Sequence, residues 1–434
     1  MKMEDRIMKY TYHEIIDIIQ NTRRFGNYTG YEVSKHMLEQ LGNPQSGIPF
    51  VHVAGTNGKG STTAFLCKIL EQTGRKIGMF TSPHLVDFEE RIRINGQYIS
   101  KEDVTRLGNQ LLEMNFELPP TMFDYCLAMA VMYFKEQQCE LMVMETGIGG
   151  RYDSTNALGI PVVAIITKIG FDHTAILGDT LEQIAGEKAG IMKPGVPVVT
   201  QMQQEAARKV LLDNFSQVNS ELVERKPKFY EVTKEDLLYA SELPRKMLGG
   251  FQVENAATAI LAARALFELS PKPIPNNELG LIEKYISDGI AQTFWKGRME
   301  LLNENPFFMI DGAHNAHGVH ALAESLKALY PDEKFHFIMG VMADKDYEEM
   351  IEELLPLAID FVTVTPESSR ALQSKELAAC IEAKGIKATY AEDMEEVIRP
   401  YLGKQVPNGK TIAFGSLYFI GAIEALREIY TEQE

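Results

Sequence analysis

The sequence predicts an α/β protein with a mainly parallel sheet. Short apolar runs alternate with amphipathic stretches from residue 49 almost to the end of the 434-residue chain. Hydrophobic residues make up 45% and charged residues 24% of it, which is the composition of a folded globular protein. At about 150 residues per domain, the length allows two or three domains.

Short apolar runs bounded by turn residues predict the strands. They are Pro49–Ala54, Lys76–Thr81, Glu140–Glu145, Val162–Thr167, Val196–Thr200, Phe307–Ile310, Phe335–Met339, Phe361–Thr365 and Thr411–Phe414. The amphipathic intervals predict helices, which include Ser61–Gln72, Met122–Lys135, Leu181–Met192, Glu254–Leu269, Leu281–Thr293, Val319–Tyr330, Tyr347–Leu357, Lys375–Lys384 and Ile420–Tyr430.

A new strand-helix alternation starts after Lys296-Gly297-Arg298. It predicts an N-terminal domain of residues 1–296 and a smaller C-terminal α/β domain of residues 297–434. The proline-rich segment Pro271–Asn277 is an alternative boundary.

Charge and cysteine content exclude several classes of protein. The formal net charge of −17 repels a polyanion, so general nucleic-acid binding is not expected, although a local basic pocket could still bind a small anion. The N-terminus lacks the apolar core of a signal peptide, and no run of about 18 apolar residues predicts a membrane span. Widely spaced cysteines without a CxxC pair predict buried, reduced thiols in a cytoplasmic protein; they are Cys67, Cys126, Cys139 and Cys380.

A glycine-rich loop joins the first predicted strand to a predicted helix. Its residues are Gly55, Thr56, Asn57, Gly58, Lys59, Gly60, Ser61 and Thr62. Glycines let backbone N–H groups converge on phosphate oxygens, the helix N-terminus adds a positive dipole end, and Lys59 adds a cation. The loop therefore predicts a nucleoside triphosphate site made by residues 57–62.

This loop departs from the common GxxxxGK[ST] pattern. Gly60 occupies the position after the lysine, where a metal-binding hydroxyl normally lies, and Ser61 follows one residue later. We therefore expect a compensating metal ligand elsewhere in the chain.

Six motifs in order resemble folylpolyglutamate synthase / dihydrofolate synthase, a family of the Mur ligase superfamily. They are GTNGKGST at 55–62, TSPHL at 81–85, ETGIGGRYDSTN at 145–156, DH at 172–173, EKAGI at 187–191 and DGAHN at 311–315. The resemblance extends over about residues 20–420. It implies a Mur-ligase-like P-loop domain, followed by a smaller Rossmann-like α/β domain.

The resemblance also implies an ATP-dependent amide ligase. Such an enzyme passes the γ-phosphate of ATP to a folate carboxylate, and the amine of L-glutamate attacks the resulting acyl phosphate. Charge neutralisation and positioning dominate this chemistry. The implied substrates are a reduced folate or dihydropteroate with L-glutamate. The implied cofactors are ATP and two Mg²⁺, and the family is often stimulated by K⁺ and is typically monomeric.

Metal ligands follow from the same resemblance. Glu145 ends an apolar strand, and carboxylate oxygens suit Mg²⁺, so it is the implied ligand of the first ion, with Ser82 as the hydroxyl that replaces the one missing at Gly60. His173 is the implied ligand of a second Mg²⁺. Lys188 resembles a lysine that CO₂ carbamylates, which requires a neutral amine and hence a depressed pKa.

The remaining site residues are implied ATP contacts. Asn255 resembles the asparagine that binds adenine, although Phe251 departs from the family's local pattern. Arg298 and His314 are expected at the phosphates, and Asp311 at the ribose hydroxyls. We also expect the two domains to close about Gly297.

Other interpretations remain open. His314, His317 and His320 have the HxxHxxH spacing of a zinc site, but we favour an ordinary helix for the last two. Residues 120–130 could line a pterin pocket or form a core helix. Competing functions are a P-loop kinase, a nucleotide-dependent switch protein, and a sister Mur-type ligase acting on another acid.

Overall fold

The structure is a computed structural model that describes residues 9–22, 30–221, 227–269, 279–403 and 409–431. The chain divides into two compact units: Met1–Pro244 with Glu254–Thr293, and Arg245–Val253 with Phe294–Glu434. A domain boundary at residue 297 stays a prediction, and the alternative at Pro271–Asn277 lies outside the described residues. Within the described ranges, no helix has the length and apolar content that crossing a membrane requires.

The first unit is an eight-stranded sheet flanked by helices. Its strands are β1 (Phe50–Ala54), β2 (Ile77–Phe80), β3 (Ile92–Ile94), β4 (Gln97–Tyr98), β5 (Leu141–Glu145), β6 (Val163–Ile166), β7 (Val198–Thr200) and β8 (Phe229–Glu231). Its helices are α1 (Tyr12–Asn21), α2 (Glu32–Gln40), α3 (Lys59–Glu71), α4 (Lys101–Leu112), α5 (Met122–Glu136), α6 (Thr174–Leu177), α7 (Leu181–Ala189), α8 (Glu205–Val218), α9 (Lys234–Glu242), α10 (Gly250–Leu269) and α11 (Leu279–Gln292). The first residues of α10 belong to the second unit.

Strand order in this sheet is β4-β3-β2-β5-β1-β6-β7-β8. The pairs β2–β3 and β3–β4 are antiparallel, and all other pairs of this sheet are parallel. All five residues of the central strand β1 are buried, because helices cover both faces of a parallel sheet. Val53 of β1 lies beside Glu145 of β5, so the residues that follow these strands meet at one edge.

The second unit is a six-stranded sheet of order β13-β12-β11-β14-β10-β9. Its strands are β9 (Glu300–Glu304), β10 (Phe307–Asp311), β11 (Phe335–Met339), β12 (Ala358–Thr363), β13 (Ala388–Tyr390) and β14 (Lys410–Phe414). Its helices are α12 (Ala316–Leu329), α13 (Tyr347–Leu354), α14 (Ser374–Ala383), α15 (Met394–Leu402) and α16 (Leu417–Thr431). Only β9 is antiparallel to its neighbour.

The α/β class with mainly parallel sheets is confirmed, and every predicted strand is present. The strands that the sequence did not indicate are β3, β4, β8, β9 and β13, which lie at the edges of the two sheets or in the edge hairpin. Edge strands are covered less and need no continuous apolar run. The four thiols are free, but Cys380 is only half-buried, so the prediction that all four are buried is wrong for that residue.

Candidate active site

The glycine-rich loop after β1 lies against the end of β6. A Cβ on Gly55 would lie 1.8 Å from Thr167 Oγ1, and one on Gly58, whose φ is +86°, would lie 2.3 Å from Asn255 Oδ1. The Thr167 hydroxyl donates to Asn57 O at 2.8 Å. Only glycine fits at Gly55 and Gly58, because other parts of the first unit approach the loop backbone closely.

Two lysine side chains converge on one carbonyl of this loop. Lys59 Nζ donates to Gly55 O at 3.1 Å and to Thr56 O at 3.2 Å. Lys188 Nζ, on the last turn of α7, donates to the same Gly55 O at 2.9 Å. The described part of the chain places no carboxylate within ion-pair distance of either ammonium group. The edge of the sheet therefore presents positive charge that an anion would neutralise.

Lys188 has the strongly lowered pKa that is typical of a functional amine. Only 3% of the residue is exposed. Burial first, and then the neighbouring Lys59 ammonium, lower its pKa to about 7, while Asp172, Asp153 and Glu187 act in the opposite direction. A large fraction of this side chain is therefore a neutral amine near pH 7, which is the nucleophilic form.

Glu145 and Ser82 lie together at the same edge. Glu145 ends β5 with 3% of its surface exposed, because the strand carries it into the sheet interior. The backbone N–H of Ser82, two residues after β2, donates to Glu145 Oε2 at 3.3 Å. The adjacent parallel strands β2 and β5 bring these two residues together across 63 positions of sequence.

Asp153 organises the loop that follows Glu145, a role that the sequence did not indicate. Its Oδ2 accepts the N–H groups of Gly147 at 2.8 Å and Ile148 at 2.9 Å. Burial raises the pKa of Asp153, and these hydrogen bonds partly oppose that shift. A Cβ on Gly150 would lie 2.8 Å from Lys188 O, so this loop packs directly on the turn of α7 that carries Lys188.

His173 lies at the start of α6, in the left-handed region at φ 52°. Its side chain is 41% exposed, and its Nε2 lies 4.0 Å from Asp172 Oδ2. Across the described ranges, no three His, Cys, Asp or Glu side chains form a group that could hold a metal. A site at this edge would therefore need other donors, such as the Ser82 hydroxyl or a modified Lys188.

Asn255 on α10 is placed against the phosphate-binding loop. It is 4% exposed, and its Oδ1 accepts from Gln201 Nε2 at 2.9 Å and Thr62 Oγ1 at 3.4 Å. The sequence did not indicate Gln201, although its place directly after β7 at the same edge of the sheet could have done so.

In the second unit, Asp311 ends β10 and is held by backbone. Its Oδ2 accepts Met299 N–H and its Oδ1 accepts Ala313 N–H, both at 2.8 Å. Burial raises the pKa of Asp311, while the positive charge of Arg298 opposes that shift. A Cβ on Gly312 would lie 1.9 Å from Arg298 Nη1, so the guanidinium rests directly on this backbone.

The three histidines of the HxxHxxH series have separate surroundings. His314 Nδ1 lies 2.8 Å from Gly312 O, so Nδ1 carries the proton because a carbonyl can only accept. His320 Nδ1 lies 2.9 Å from Glu353 Oε2 on α13. His317 and His320 are in the first turns of α12, as expected for an ordinary helix.

Residues 120–130 are mostly a core helix. Asp124 on α5 is 3% exposed and accepts hydrogen bonds from the hydroxyls of Ser34 and Ser154. Phe123 is half-buried and packs against the core, and its ring would meet a Cβ on Gly147 at 3.0 Å. The ring therefore lies beside the loop that follows Glu145.

Comparisons with known proteins agree with this architecture. A model of the Mur ligase middle domain matches residues 53–263, and one of the Mur ligase glutamate ligase domain matches residues 297–416. The chain is 35% identical over 433 residues to the dihydrofolate synthase/folylpolyglutamate synthase of Bacillus subtilis, covering 95% of this chain and 98% of the relative. It is 31% identical over 442 residues to the folylpolyglutamate synthase of Lacticaseibacillus casei, covering 96% and 98%.

A solved structure of Escherichia coli FolC in complex with DHPP and ADP is similar in fold. The TM-score is 0.81 at 25% identity, with 98% of this chain and 99% of that chain covered. The near-complete coverage of both chains extends the likeness to both units. With two Mur ligase domain matches and relatives aligned over almost their whole length, the chain belongs to the folylpolyglutamate synthase / dihydrofolate synthase family, the ATP-dependent ligases that join glutamate to folates.

Proposed function

We propose that this chain adds L-glutamate both to dihydropteroate and to tetrahydrofolates, releasing ADP and phosphate. The observation that carries the proposal is the convergence of Lys59 and Lys188 on Gly55 O, with Glu145 at the end of the adjacent strand. The Lys59 ammonium, the backbone N–H groups of a glycine-rich loop and a helix N-terminus together fit the polyphosphate of ATP. A relative of matching length is named for both activities.

The loop residues bind the triphosphate. Backbone N–H groups of residues 57–62 and the N-terminus of α3 contact phosphate oxygens, with Lys59 as the cation. Binding would draw Lys59 Nζ from Gly55 O and Thr56 O to the phosphates. Lys59 thereby orients the γ-phosphate towards the folate carboxylate and neutralises the charge that develops during transfer.

The donor set fits magnesium. Ser82 and Glu145 supply a hydroxyl and a buried carboxylate at one edge of the sheet, as hard-cation binding requires. A bound Mg²⁺ would polarise the phosphoryl oxygens and offset their charge. His173 and a modified Lys188 are the proposed ligands of a second ion.

Lys188 is the proposed carbamylation site. Its neutral amine attacks the carbon of CO₂, the new N–C bond forms, and the nitrogen releases a proton, leaving a carbamate anion. The lowered pKa of Lys188 makes the neutral amine available near pH 7. The carbamate reverses the charge beside Gly55 and supplies oxygen donors to the metal site.

The remaining contacts to ATP are proposed for Asn255 at the adenine, Arg298 and His314 at the phosphates, and Asp311 at the ribose. Asp311 retains acceptor capacity, because each carboxylate oxygen can accept a second hydrogen bond. The Phe123 ring, beside Gly147, would contact the pterin. We further propose a monomeric cytoplasmic enzyme stimulated by K⁺.

Mass spectrometry of the products tests this proposal. The enzyme is incubated with ATP, Mg²⁺ and L-glutamate, with dihydropteroate in one sample and tetrahydrofolate in another, while ADP release is followed. We expect glutamylated product in both samples. Product in only one restricts the chain to that activity, and ADP release without glutamylated product would favour a kinase or a sister ligase.

A further inference from the structure

A buried pair of carboxyl groups lies where the second unit's first strand begins. Glu300, the first residue of β9, is 6% exposed, and Glu424 on α16 is 1% exposed. Arg427, on the same face of α16, places Nη1 3.0 Å from Glu300 Oε1 and 3.6 Å from Glu424 Oε1. One guanidinium therefore lies beside two buried carboxyl groups, and only Glu300 is within hydrogen-bond distance of it.

The charge of this cluster depends on one proton. Within the part of the chain that the structure describes, Glu424 Oε1 has no hydrogen-bond partner. Burial, and next the neighbouring Glu300, raise the pKa of Glu424 to about 7, while Arg427 and Lys296 act against that shift. Around neutral pH, a protonated Glu424 can donate to Glu300, so the cluster holds one carboxylate against the Arg427 guanidinium.

Two other charged side chains near α16 interact mainly with other residues, although Lys296 also acts on Glu424. Lys296 Nζ pairs with Glu428 Oε1 at 2.9 Å, where both side chains are partly exposed. Arg399 on α15 interacts with Tyr430 near the far end of α16. The charges that act on Glu424 come from the turn before β9, from β9 itself and from α16.

Glu300 connects this cluster to Arg298. Its Oε2 accepts the N–H of Gly297 at 2.8 Å, and Gly297 has a φ of +68°. Gly297 O in turn accepts the N–H of Gly312 at 2.8 Å and lies 3.3 Å from Arg298 Nη1. The turn at 297–300 is therefore held at its first residue by Glu300, and it sets where the Arg298 guanidinium rests.

We propose that Glu300, Glu424 and Arg427 form a proton-dependent clamp that positions Arg298 for ATP binding. The inference rests on the proposed function, which assigns Arg298 to the phosphates. With Glu424 protonated, Arg427 and Gly297 N–H both hold Glu300. When Glu424 loses its proton, two carboxylates compete for one guanidinium in a buried site, and the hold on Gly297 weakens. Glu300 and Glu424 are thus positioning residues that act through Arg298.

The test is steady-state kinetics between about pH 6 and 8.5 with ATP varied and glutamate saturating. Glu424→Gln keeps the shape of the protonated side chain but cannot ionise. Its KM for ATP, relative to wild type at each pH, is expected to fall as the pH rises. Glu300→Ala is expected to raise the KM for ATP about tenfold near pH 6.5 and to leave the KM for glutamate unchanged. Glu382→Gln, which changes an exposed carboxylate on α14 of the same unit, should follow wild type throughout.

Two results would overturn the clamp. One is a Glu424→Gln ratio that stays constant across the pH range, and the other is a folded Glu300→Ala enzyme with the wild-type KM for ATP. Thermal unfolding of each variant separates a loss of positioning from a loss of fold. Arg298→Met distinguishes a failure of the clamp from a failure of the proposed function. A wild-type KM for ATP in that variant would show that Arg298 does not bind ATP, and the clamp hypothesis would then fail as well. A raised KM there with unaltered clamp variants removes the clamp alone.

Discussion

Both units place charged groups where parallel strands end, but they balance those charges differently. In the first unit, the Lys59 ammonium and the Lys188 amine both donate to the carbonyl of Gly55. In the second, the Asp311 carboxylate accepts two backbone N–H groups and lies in the field of Arg298. The first arrangement leaves positive charge for a ligand to neutralise. In the second, hydrogen bonds and a neighbouring positive charge already stabilise the carboxylate. Substitutions should therefore affect mainly activity at the two lysines and mainly stability at Asp311.

The largest expected effect is that of Lys59→Met. Removing this cation should lower kcat about 1,000-fold, because charge neutralisation carries most of the catalysis of phosphoryl transfer. The free energy of unfolding should change less than kcat, since the hydrogen bonds that Lys59 makes are two contacts to partly buried loop carbonyls. Kinetics and denaturant unfolding measure the two quantities, and Lys68→Met on the same helix is the control. A variant that loses stability and activity together would break the comparison.

Lys188→Met should lower kcat about 100-fold while stabilising the fold below pH 7. Its pKa is lowered from 10.5 to about 7, so between these values the native state binds fewer protons than the unfolded chain. Stability from this group therefore rises with pH across that window, and the full cost of burying the ammonium applies below it. Denaturant unfolding in bicarbonate-free buffer should show that the free energy of unfolding rises with pH in wild type. This pH dependence should be lost in Lys188→Met. The exposed Lys209→Met on α8 should retain it.

Lys188→Ala separates a carbamate from a simple amine. The space left by the side chain can admit a short carboxylate, which would replace the carbamate oxygens. Formate or acetate should therefore restore part of the activity of Lys188→Ala and none of that of Lys188→Arg. Rescue by short alkylamines in place of carboxylates would contradict the carbamate.

The smallest effect on activity is expected for Asp311→Asn. The amide nitrogen cannot accept the N–H of Met299 or Ala313, and one donor is left facing another donor. We expect the free energy of unfolding of the second unit to fall by about 2 kcal/mol, with a smaller change in kcat. Asp360→Asn, at the partly exposed pair with His336 in the same sheet, provides the control. A kcat loss without destabilisation would make Asp311 resemble the lysines of the first unit.

The interior of both sheets was predictable and their edges were not. Strands such as β1 are buried on both faces, so they appear in the sequence as continuous apolar runs. The two residues of β4 are exposed and the three of β8 only partly buried, so nothing in their hydrophobicity distinguishes them from loops. Backbone pairing with a neighbour defines them: β4 pairs with β3 in a hairpin, and β8 pairs with the more distant β7.

The candidate site shows the same division. Lys59 and Glu145 were predictable because a glycine-rich loop and a strand end mark their positions locally. The strand end before Gln201 marks its position, but the roles of Asp153 and Gln201 were not predictable, because each depends on hydrogen bonds that the folded chain creates. Gln201 meets Asn255 across 54 residues, and no local pattern encodes that encounter.

The sequence by itself determined the α/β class, the phosphate-binding loop and the family, since these depend on periodicity and on motifs of neighbouring residues. Tertiary structure alone decided that Lys188 meets Lys59 at Gly55 and that Glu424 meets Glu300 beside Arg427. Both meetings bury groups that water would otherwise solvate, and the pKa of a buried group depends on what packs around it. Those surroundings exist only after the chain has folded.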